Sequence, residues 1–155
     1  MKLVERCVFI AASPARVYEL LTDAELLVEW MAPHAELDPT PGGELHWTHA
    51  NGDSVVGAFV ELVPARRIVF TFGWDRADVG IAPGSTIVEI DLRARGDGTE
   101  LSLVHRGLAG PMAAAHGGGW DNYLARLAAV GEGRDPGPDA LAGERVPAAR
   151  DLGLR

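Results

Sequence analysis

A chain of 155 residues suits a single domain that buries a hydrophobic core without help from disulfides or metals. Hydrophobic residues make up 47% of the chain and charged residues 23%, a composition that is typical of a globular protein and not of a disordered one. The formal net charge of -8 argues against nucleic acid as a partner, because such a chain offers no basic surface to the phosphates.

The cysteine content and the N-terminal residues bear on the cellular compartment. Cys7 is the single cysteine, so the chain can form no internal disulfide, and its apolar neighbours predict a buried thiol. Glu5 and Arg6 interrupt the N-terminal apolar stretch, which is therefore too short for the core of a signal peptide. No apolar stretch approaches the length that spans a bilayer, so we predict a cytoplasmic protein with no membrane insertion.

The N-terminal part predicts a strand followed by a helix. Residues 3–12 form an apolar run with several β-branched residues, as in a strand. Ser13 and Pro14 are the residue types favoured at the N-cap and at the first helical position, so a short helix begins here and ends near Leu21.

A second short helix is predicted directly after the first. Thr22 and Glu25 have the spacing of a capping box, in which each side chain bonds the backbone N–H of the other residue. The predicted helix carries Trp30 and Met31 and is ended by Pro33.

Between residues 39 and 106 the hydrophobic period changes to that of strands, with Gly, Asn and Pro marking the turns. The predicted strands cover residues 43–49, 54–63, 68–74, 86–95 and 99–105. They alternate apolar and polar residues and so form an antiparallel meander with one dry and one wet face. Within residues 54–63 the phase is ambiguous: an inward Phe59 implies an inward Glu61, unless a bulge turns Glu61 toward solvent.

The C-terminal part predicts one long helix and then a tail. Apolar residues within Met112–Leu127 recur at spacings of three and four, which places them on one helical stripe. Glycines at 117–119 weaken the front of this helix, so it should be most secure from residue 120 to residue 130. We predict one domain at residues 1–131, followed at 132–155 by a tail rich in Gly, Pro and charge that either wraps the surface or stays mobile.

Together these elements predict an α+β fold. A sheet with one dry face needs a cover, and the C-terminal helix is the long amphipathic element available for it. The two short helices after the first strand would close one end. We therefore expect a curved antiparallel sheet around the C-terminal helix, with a ligand-sized cavity between them.

Short motifs are spread over residues 3–130. They are Ile10–Tyr18, Leu21–Asp23 running to Trp30, Gly57–Phe59 with Val63-Pro64, Ile68–Trp74, Thr99–His105 with Gly107, and Gly119-Trp120 with Leu124 and Leu127. In this order they resemble the START-like (SRPBCC) superfamily, and within it the branch named for the C-terminal domain of the activator of Hsp90 ATPase. The resemblance implies the helix-grip (START/Bet v 1-like) fold, which is used for binding lipids, polyketides and other apolar molecules, for some cyclases and hydrolases, and for a chaperone role.

The inward-facing side chains supply the candidate ligand-binding residues. They are Trp30, Trp47, Phe59, Phe70, Phe72, Trp74, Val88, Ile90, Leu103, His105, Trp120, Tyr123 and Leu124. Aromatic residues fill most hydrophobic cores, so a packed core is one interpretation, and an aromatic-lined pocket for a flat apolar ligand is the other. Trp120 and Tyr123, on the covering helix, are the strongest candidates for a pocket.

His105 is the candidate for acid–base chemistry, because it continues the inward phase of the last predicted strand. It either faces the cavity, as a donor to a ligand or as a general base, or it is a structural histidine; no acid partner is evident on its face. The other histidines are too scattered for a metal site, and no nucleotide-binding motif is present, so we expect neither a metal nor a cofactor.

Three functions follow as hypotheses. Binding of a small apolar ligand is the leading one. The second is an enzyme such as a cyclase or hydrolase, with His105 as the acid–base group beside Tyr123 or Glu61. The third is a protein-interaction module, like an Hsp90 co-chaperone, which predicts an adhesive outer patch and a collapsed cavity. The edge strands of the sheet would also allow a homodimer.

Overall fold

The computed structural model describes residues 2–154. The strands and α-helices in this range are β1 Lys2–Ile10, α1 Pro14–Thr22, α2 Ala24–Leu27, β2 His34–Leu37, β3 Glu44–Thr48, β4 Ser54–Val63, β5 Arg67–Phe72, β6 Thr86–Arg95, β7 Gly98–Leu108 and α3 Gly110–Gly131. Two short 3-10 helices lie at Ala77–Val79 and Ala149–Leu152.

The strands form one sheet in the order β1-β7-β6-β5-β4-β3-β2, and every neighbouring pair is antiparallel. The helix α3 packs against the inner face of this curved sheet and buries one side, which includes Met112, Leu124 and Leu127. The predicted α+β helix-grip architecture is thereby confirmed. None of the helices within residues 2–154 is both long enough and apolar enough to cross a membrane.

The start of α1 is confirmed, whereas the predicted cap of the second helix is wrong. The Ser13 hydroxyl accepts a hydrogen bond from the Arg16 amide at 3.1 Å. Thr22 does not cap α2; it belongs to α1, where its hydroxyl donates to the carbonyl of Tyr18 at 2.8 Å. The carboxylate of Asp23 is the cap of α2 and accepts from the Glu25 amide at 2.9 Å. Aspartate is at least as good an N-cap as threonine, so α2 begins after it.

The second helix is shorter than predicted, because it ends at Leu27 and leaves Trp30 and Met31 in the turns that follow. The strand β2 was not predicted at all. It is a four-residue edge strand that pairs with β3, from His34 opposite Thr48 onward. Its shortness and its half-exposed side chains leave too little alternation for a sequence pattern to show.

A bulge in β4 resolves the ambiguous phase of that strand. The register with β5 shifts between Phe59 and Glu61, so Val60 is the additional residue. Phe59 is buried in the core, whereas the Glu61 carboxylate lies on the outer side and accepts from Arg67 at 2.8 Å. The prediction that a bulge separates these two orientations is confirmed.

The outer face of the sheet is charged and exposes Cys7, which corrects the predicted burial of its thiol. On this face Arg67 also forms ion pairs with Glu89 at 3.3 Å and Asp91 at 2.9 Å. Solvent-exposed ion pairs of this kind contribute little to stability, about 0–1 kcal/mol each.

Gly57 of β4 lies close to the backbone of β5. A β-carbon added there would be 1.8 Å from the carbonyl oxygen of Thr71. We expect Gly57→Ala to lower the free energy of unfolding by about 3 kcal/mol, measured by urea denaturation, because the obstructing atom belongs to the backbone. Gly118→Ala, in α3 with nothing within 4 Å, is the control and should raise it by about 0.5–1 kcal/mol. A Gly57→Ala protein as stable as wild type would contradict the tight approach.

Candidate ligand cavity

A cavity of about 360 Å³ lies between α3, the β3–β4 hairpin, the end of β5 and a segment of the C-terminal tail. Its wall comprises Met31, Trp47, His49, Asn51, Val55, Phe72, Trp74, Ala115, His116, Gly118, Gly119, Trp120, Tyr123, Leu141, Glu144, Arg145, Val146 and Pro147. We refer to it below as the cavity.

The structure brings five of the candidate residues to the cavity wall and places the others behind it. The five at the wall are Trp47, Phe72, Trp74, Trp120 and Tyr123. The others are buried in the core without bordering the cavity: Trp30, Phe59, Phe70, Val88, Ile90, Leu103, His105 and Leu124. The strand phase shows which side chains point inward, but not which of them are covered by their neighbours.

Several wall residues were missed by the sequence analysis. His49 lies two residues after Trp47 and so continues the inward phase of β3, and His116 lies on the predicted apolar stripe of α3. The sequence pattern could therefore have predicted that both side chains are buried. The tail residues 141–147 carry no such pattern.

Three tryptophan–histidine pairs surround the cavity. The indole Nε1 groups donate from Trp47 to His49 Nε2 at 3.1 Å, from Trp74 to His116 Nε2 at 3.0 Å and from Trp120 to His105 Nδ1 at 3.1 Å. An indole N–H can only donate, so each accepting imidazole nitrogen carries no proton. The three buried histidines are therefore neutral in this arrangement.

His105 has no nitrogen left for chemistry. The Thr86 hydroxyl donates to the Phe72 carbonyl at 2.8 Å, so at 2.8 Å it accepts from His105 Nε2. His105 Nδ1 accepts from Trp120, and the residue is 0% exposed. Burial, together with the neighbouring His116, lowers the pKa of His105 to about 3. These contacts make His105 a structural histidine that holds α3 against β6 and β7.

The second nitrogens of the other two histidines are also occupied. His116 Nδ1 donates to the Met112 carbonyl at 2.8 Å, and burial lowers the pKa of His116. Tyr123 donates its hydroxyl to Asp139 at 2.7 Å, so its oxygen accepts from His49 Nδ1 at 3.2 Å. Burial lowers the pKa of His49 more than the nearby carboxylates raise it, and burial and Asp139 together raise the pKa of Tyr123.

The resulting wall presents aromatic faces and edges more than free polar groups. Phe72 and Trp74 meet edge to face, with ring centroids 5.5 Å apart. Among the residues that the structure describes, no buried side-chain nitrogen or oxygen lacks a hydrogen-bond partner. The same residues contain no cluster of three His, Cys, Asp or Glu side chains suited to a metal ion. Such a wall attracts apolar and aromatic surfaces and offers little to a charged group.

Asp53, in the turn between β3 and β4, holds the tail at the cavity. Its carboxylate accepts from the Val146 amide at 2.9 Å, from Arg76 Nη1 at 3.2 Å and from Arg145 Nε at 3.2 Å. Burial raises the pKa of Asp53, but the hydrogen bonds from Arg145, Val146 and Arg76 outweigh burial and lower it overall. The carboxylate is therefore ionised at neutral pH.

A curved antiparallel sheet gripping a long C-terminal helix, with a cavity between them, defines a protein of the START-like helix-grip class. The family described as Activator of Hsp90 ATPase homolog 1-like protein matches residues 11–132, and the chain belongs to this family. The family recognised in the sequence motifs is thereby confirmed.

Among curated proteins, the human activator of 90 kDa heat shock protein ATPase homolog 1 is 30% identical over 111 residues. This match covers 72% of the chain and 31% of the human protein, so the chain spans about a third of that relative's length. An AHSA1-like protein from Rhizobium etli, solved by NMR, is 42% identical; the match covers 94% of this chain and 91% of that one, with a TM-score of 0.69.

Two more distant structures share the fold. DynU16, from the dynemicin biosynthetic locus, has a TM-score of 0.75 at 22% identity, with 90% of this chain and 51% of that chain covered. The Aha1 dimer from Colwellia psychrerythraea has a TM-score of 0.73 at 17% identity, covering 85% of this chain and 97% of that one.

Proposed function

We propose that the protein binds a small, neutral, apolar molecule with an aromatic or polyketide-like framework in the cavity. The observation that carries this proposal is the wall itself, where three tryptophans have their N–H groups satisfied by histidines. Their ring surfaces remain as the contact area for a ligand. A volume of about 360 Å³ lies at the lower end of the range for small-molecule sites, roughly 300–1,000 Å³.

A charged ligand would gain little inside this cavity. It would lose its hydration, and the buried polar side chains of the wall, His49, His116 and Tyr123, already have partners within the protein. Arg145 borders the cavity, but its guanidinium is paired with Asp53. The distribution of polar groups therefore favours a neutral occupant.

The alternative of an acid–base enzyme built on His105 has no support in the contacts. Both nitrogens of His105 are engaged, the Tyr123 hydroxyl donates a hydrogen bond to Asp139, and Glu61 lies on the outer side of β4 with Arg67. The alternative of a protein-interaction module is suggested by the name of the human relative. The homodimer that the edge strands would allow stays a prediction. A solvated network of ion pairs on the outer face and a cavity that is not collapsed both favour ligand binding.

Filling the cavity from α3 tests this proposal. Gly119 lies one helical turn from both Ala115 and Tyr123, all three border the cavity, and nothing lies within 4 Å of a β-carbon added at Gly119. We expect Gly119→Leu to weaken binding of the neutral dye N-phenyl-1-naphthylamine at least about tenfold, measured by dye fluorescence. The midpoint of thermal unfolding should stay equal or rise, because leucine is the better helix former.

The matched control is Ala114→Leu, which adds the same side chain to an exposed position of α3 that does not border the cavity. It should bind the dye as wild type does. Native mass spectrometry of freshly purified protein adds a second readout: an adduct of small-molecule mass on wild type and on Ala114→Leu, but not on Gly119→Leu. Equal dye binding by all three proteins would refute occupancy of the cavity.

A further inference from the structure

Part of the cavity wall comes from a segment beyond the region that matches the family. That match ends at residue 132, whereas the segment 139–147, here called the strap, contributes five residues to the wall. The strap contains no helix or strand, so it forms no ladder of backbone hydrogen bonds with the sheet. Its position depends on side-chain contacts at its two ends and on the hydrogen bond that the Asn51 side chain donates to the carbonyl of Glu144.

The first anchor fixes the beginning of the strap to α3. Asp139 accepts from Tyr123 at 2.7 Å, from the Asn122 amide group at 3.0 Å and from the backbone amide of Leu141 at 2.8 Å. Just before it, Arg126 of α3 donates to the carbonyl of Gly137 at 2.7 Å. This end of the strap therefore has several bonds to the helix.

The second anchor fixes the end of the strap to the sheet side. Asp53, which is 2% exposed, accepts from the Val146 amide and from the Arg145 side chain. Arg76 joins the same cluster, because its Nη1 donates to Asp53 and to the Val146 carbonyl at 2.9 Å. The Arg145 side chain is 58% exposed, so water competes for this anchor.

The strap thus runs from the helix to the β3–β4 turn, across one side of the cavity. Leu141 and Val146 pack against the core but are only partly buried, so apolar contacts hold the strap less firmly than they hold the fully buried side of α3. A hinge would have to lie between the two anchors, where Gly143 has nothing within 4 Å of an added β-carbon. A segment held mainly by polar contacts at its far end opens more easily than the helix and sheet it joins.

We propose that the strap is a lid that admits and releases the ligand by detaching from Asp53 while Asp139 stays bound to α3. This inference rests on the proposed function, because a lid requires a ligand beneath it. The glycines at 117–119 offer a different route, but there α3 is continuous from Gly110 to Gly131 and shows no break. The strap, in contrast, can move without disrupting a helix or a strand.

Hydrogen exchange tests the movement without any ligand. In the full chain, Arg145→Ala removes the exposed half of the second anchor and should speed amide exchange in peptides of residues 139–147 by about tenfold. Exchange in residues 120–130 of α3 should not change. Arg150→Ala is the matched control: the side chain of this arginine is 83% exposed, and within residues 2–154 its one ion pair is with Asp151, at 3.8 Å. A strap that exchanges as slowly as α3 in both variants would overturn its independent opening.

Stopped-flow release of N-phenyl-1-naphthylamine tests the gating. Arg145→Ala should release the dye about tenfold faster than wild type, and Arg150→Ala should release it at the wild-type rate. Equal release rates in a wild-type protein and an Arg145→Ala protein that both bind the dye would overturn the lid and leave the proposed function intact. A wild-type protein that binds no dye would count against the proposed function itself, and the lid would fall with it.

Discussion

Replacing His105 with alanine is expected to lower the free energy of unfolding by about 4 kcal/mol, the largest loss expected from a single substitution here. The change leaves a hole in the core and removes the acceptor of the Trp120 N–H and a donor to Thr86. The measurement is urea denaturation followed by circular dichroism. The control is His46→Ala, because His46 lies on the outer side of β3; it should cost no more than about 0.5 kcal/mol.

Two further variants separate packing from hydrogen bonding at this position. Leucine fills the space of the imidazole but leaves the Trp120 N–H without an acceptor, whereas glutamine offers both an acceptor and a donor. We therefore expect His105→Gln to be more stable than His105→Leu by about 1–2 kcal/mol. Equal stabilities would show that the Trp120–His105–Thr86 chain of hydrogen bonds contributes nothing, and His105 would have to be reconsidered as a functional group.

The elements of this fold were predictable wherever one local signal dominated. Ser13-Pro14 marks the start of α1, and the alternation of Leu101, Leu103 and His105 predicts their complete burial in β7. At the second helix two good caps stand side by side, Thr22 and Asp23, and spacing alone favoured the wrong one. Sequence patterns rank such neighbours poorly, because the choice depends on where the first helix ends.

The cavity was only partly predictable, for a different reason. An inward-facing aromatic residue is easily recognised, but whether it borders a space or is covered by another side chain depends on the packing of distant elements. Phe70 and Phe72 share one strand face, yet only Phe72 reaches the cavity. Arg145 and Val146 border the cavity because both donate hydrogen bonds to Asp53. Asp53 is distant from them in the sequence, where its position after Asn51-Gly52 indicates only a turn. No local pattern encodes that contact.

The three neutral histidines make stability depend on pH in a defined direction. Burial lowers the pKa of each in the folded state, whereas in the unfolded chain each has an ordinary pKa near 6.5. Below pH 6.5 the unfolded state therefore binds more protons than the folded state, and stability falls as the pH falls. For His105, with a folded pKa of about 3, the loss continues from pH 6.5 down to about pH 3.

At pH 5 we expect His105 alone to have cost about 2 kcal/mol of the stability present at pH 7.5. Other titrating groups also change over this range, so the comparison is made between variants. In His105→Gln the fall in the free energy of unfolding from pH 7.5 to pH 5, measured by urea denaturation, should be smaller than in wild type by that amount. His34→Gln, at an exposed position of β2, should follow wild type. Parallel pH profiles for all three proteins would mean that His105 accepts a proton in the folded state, which the indole of Trp120 on its Nδ1 does not allow.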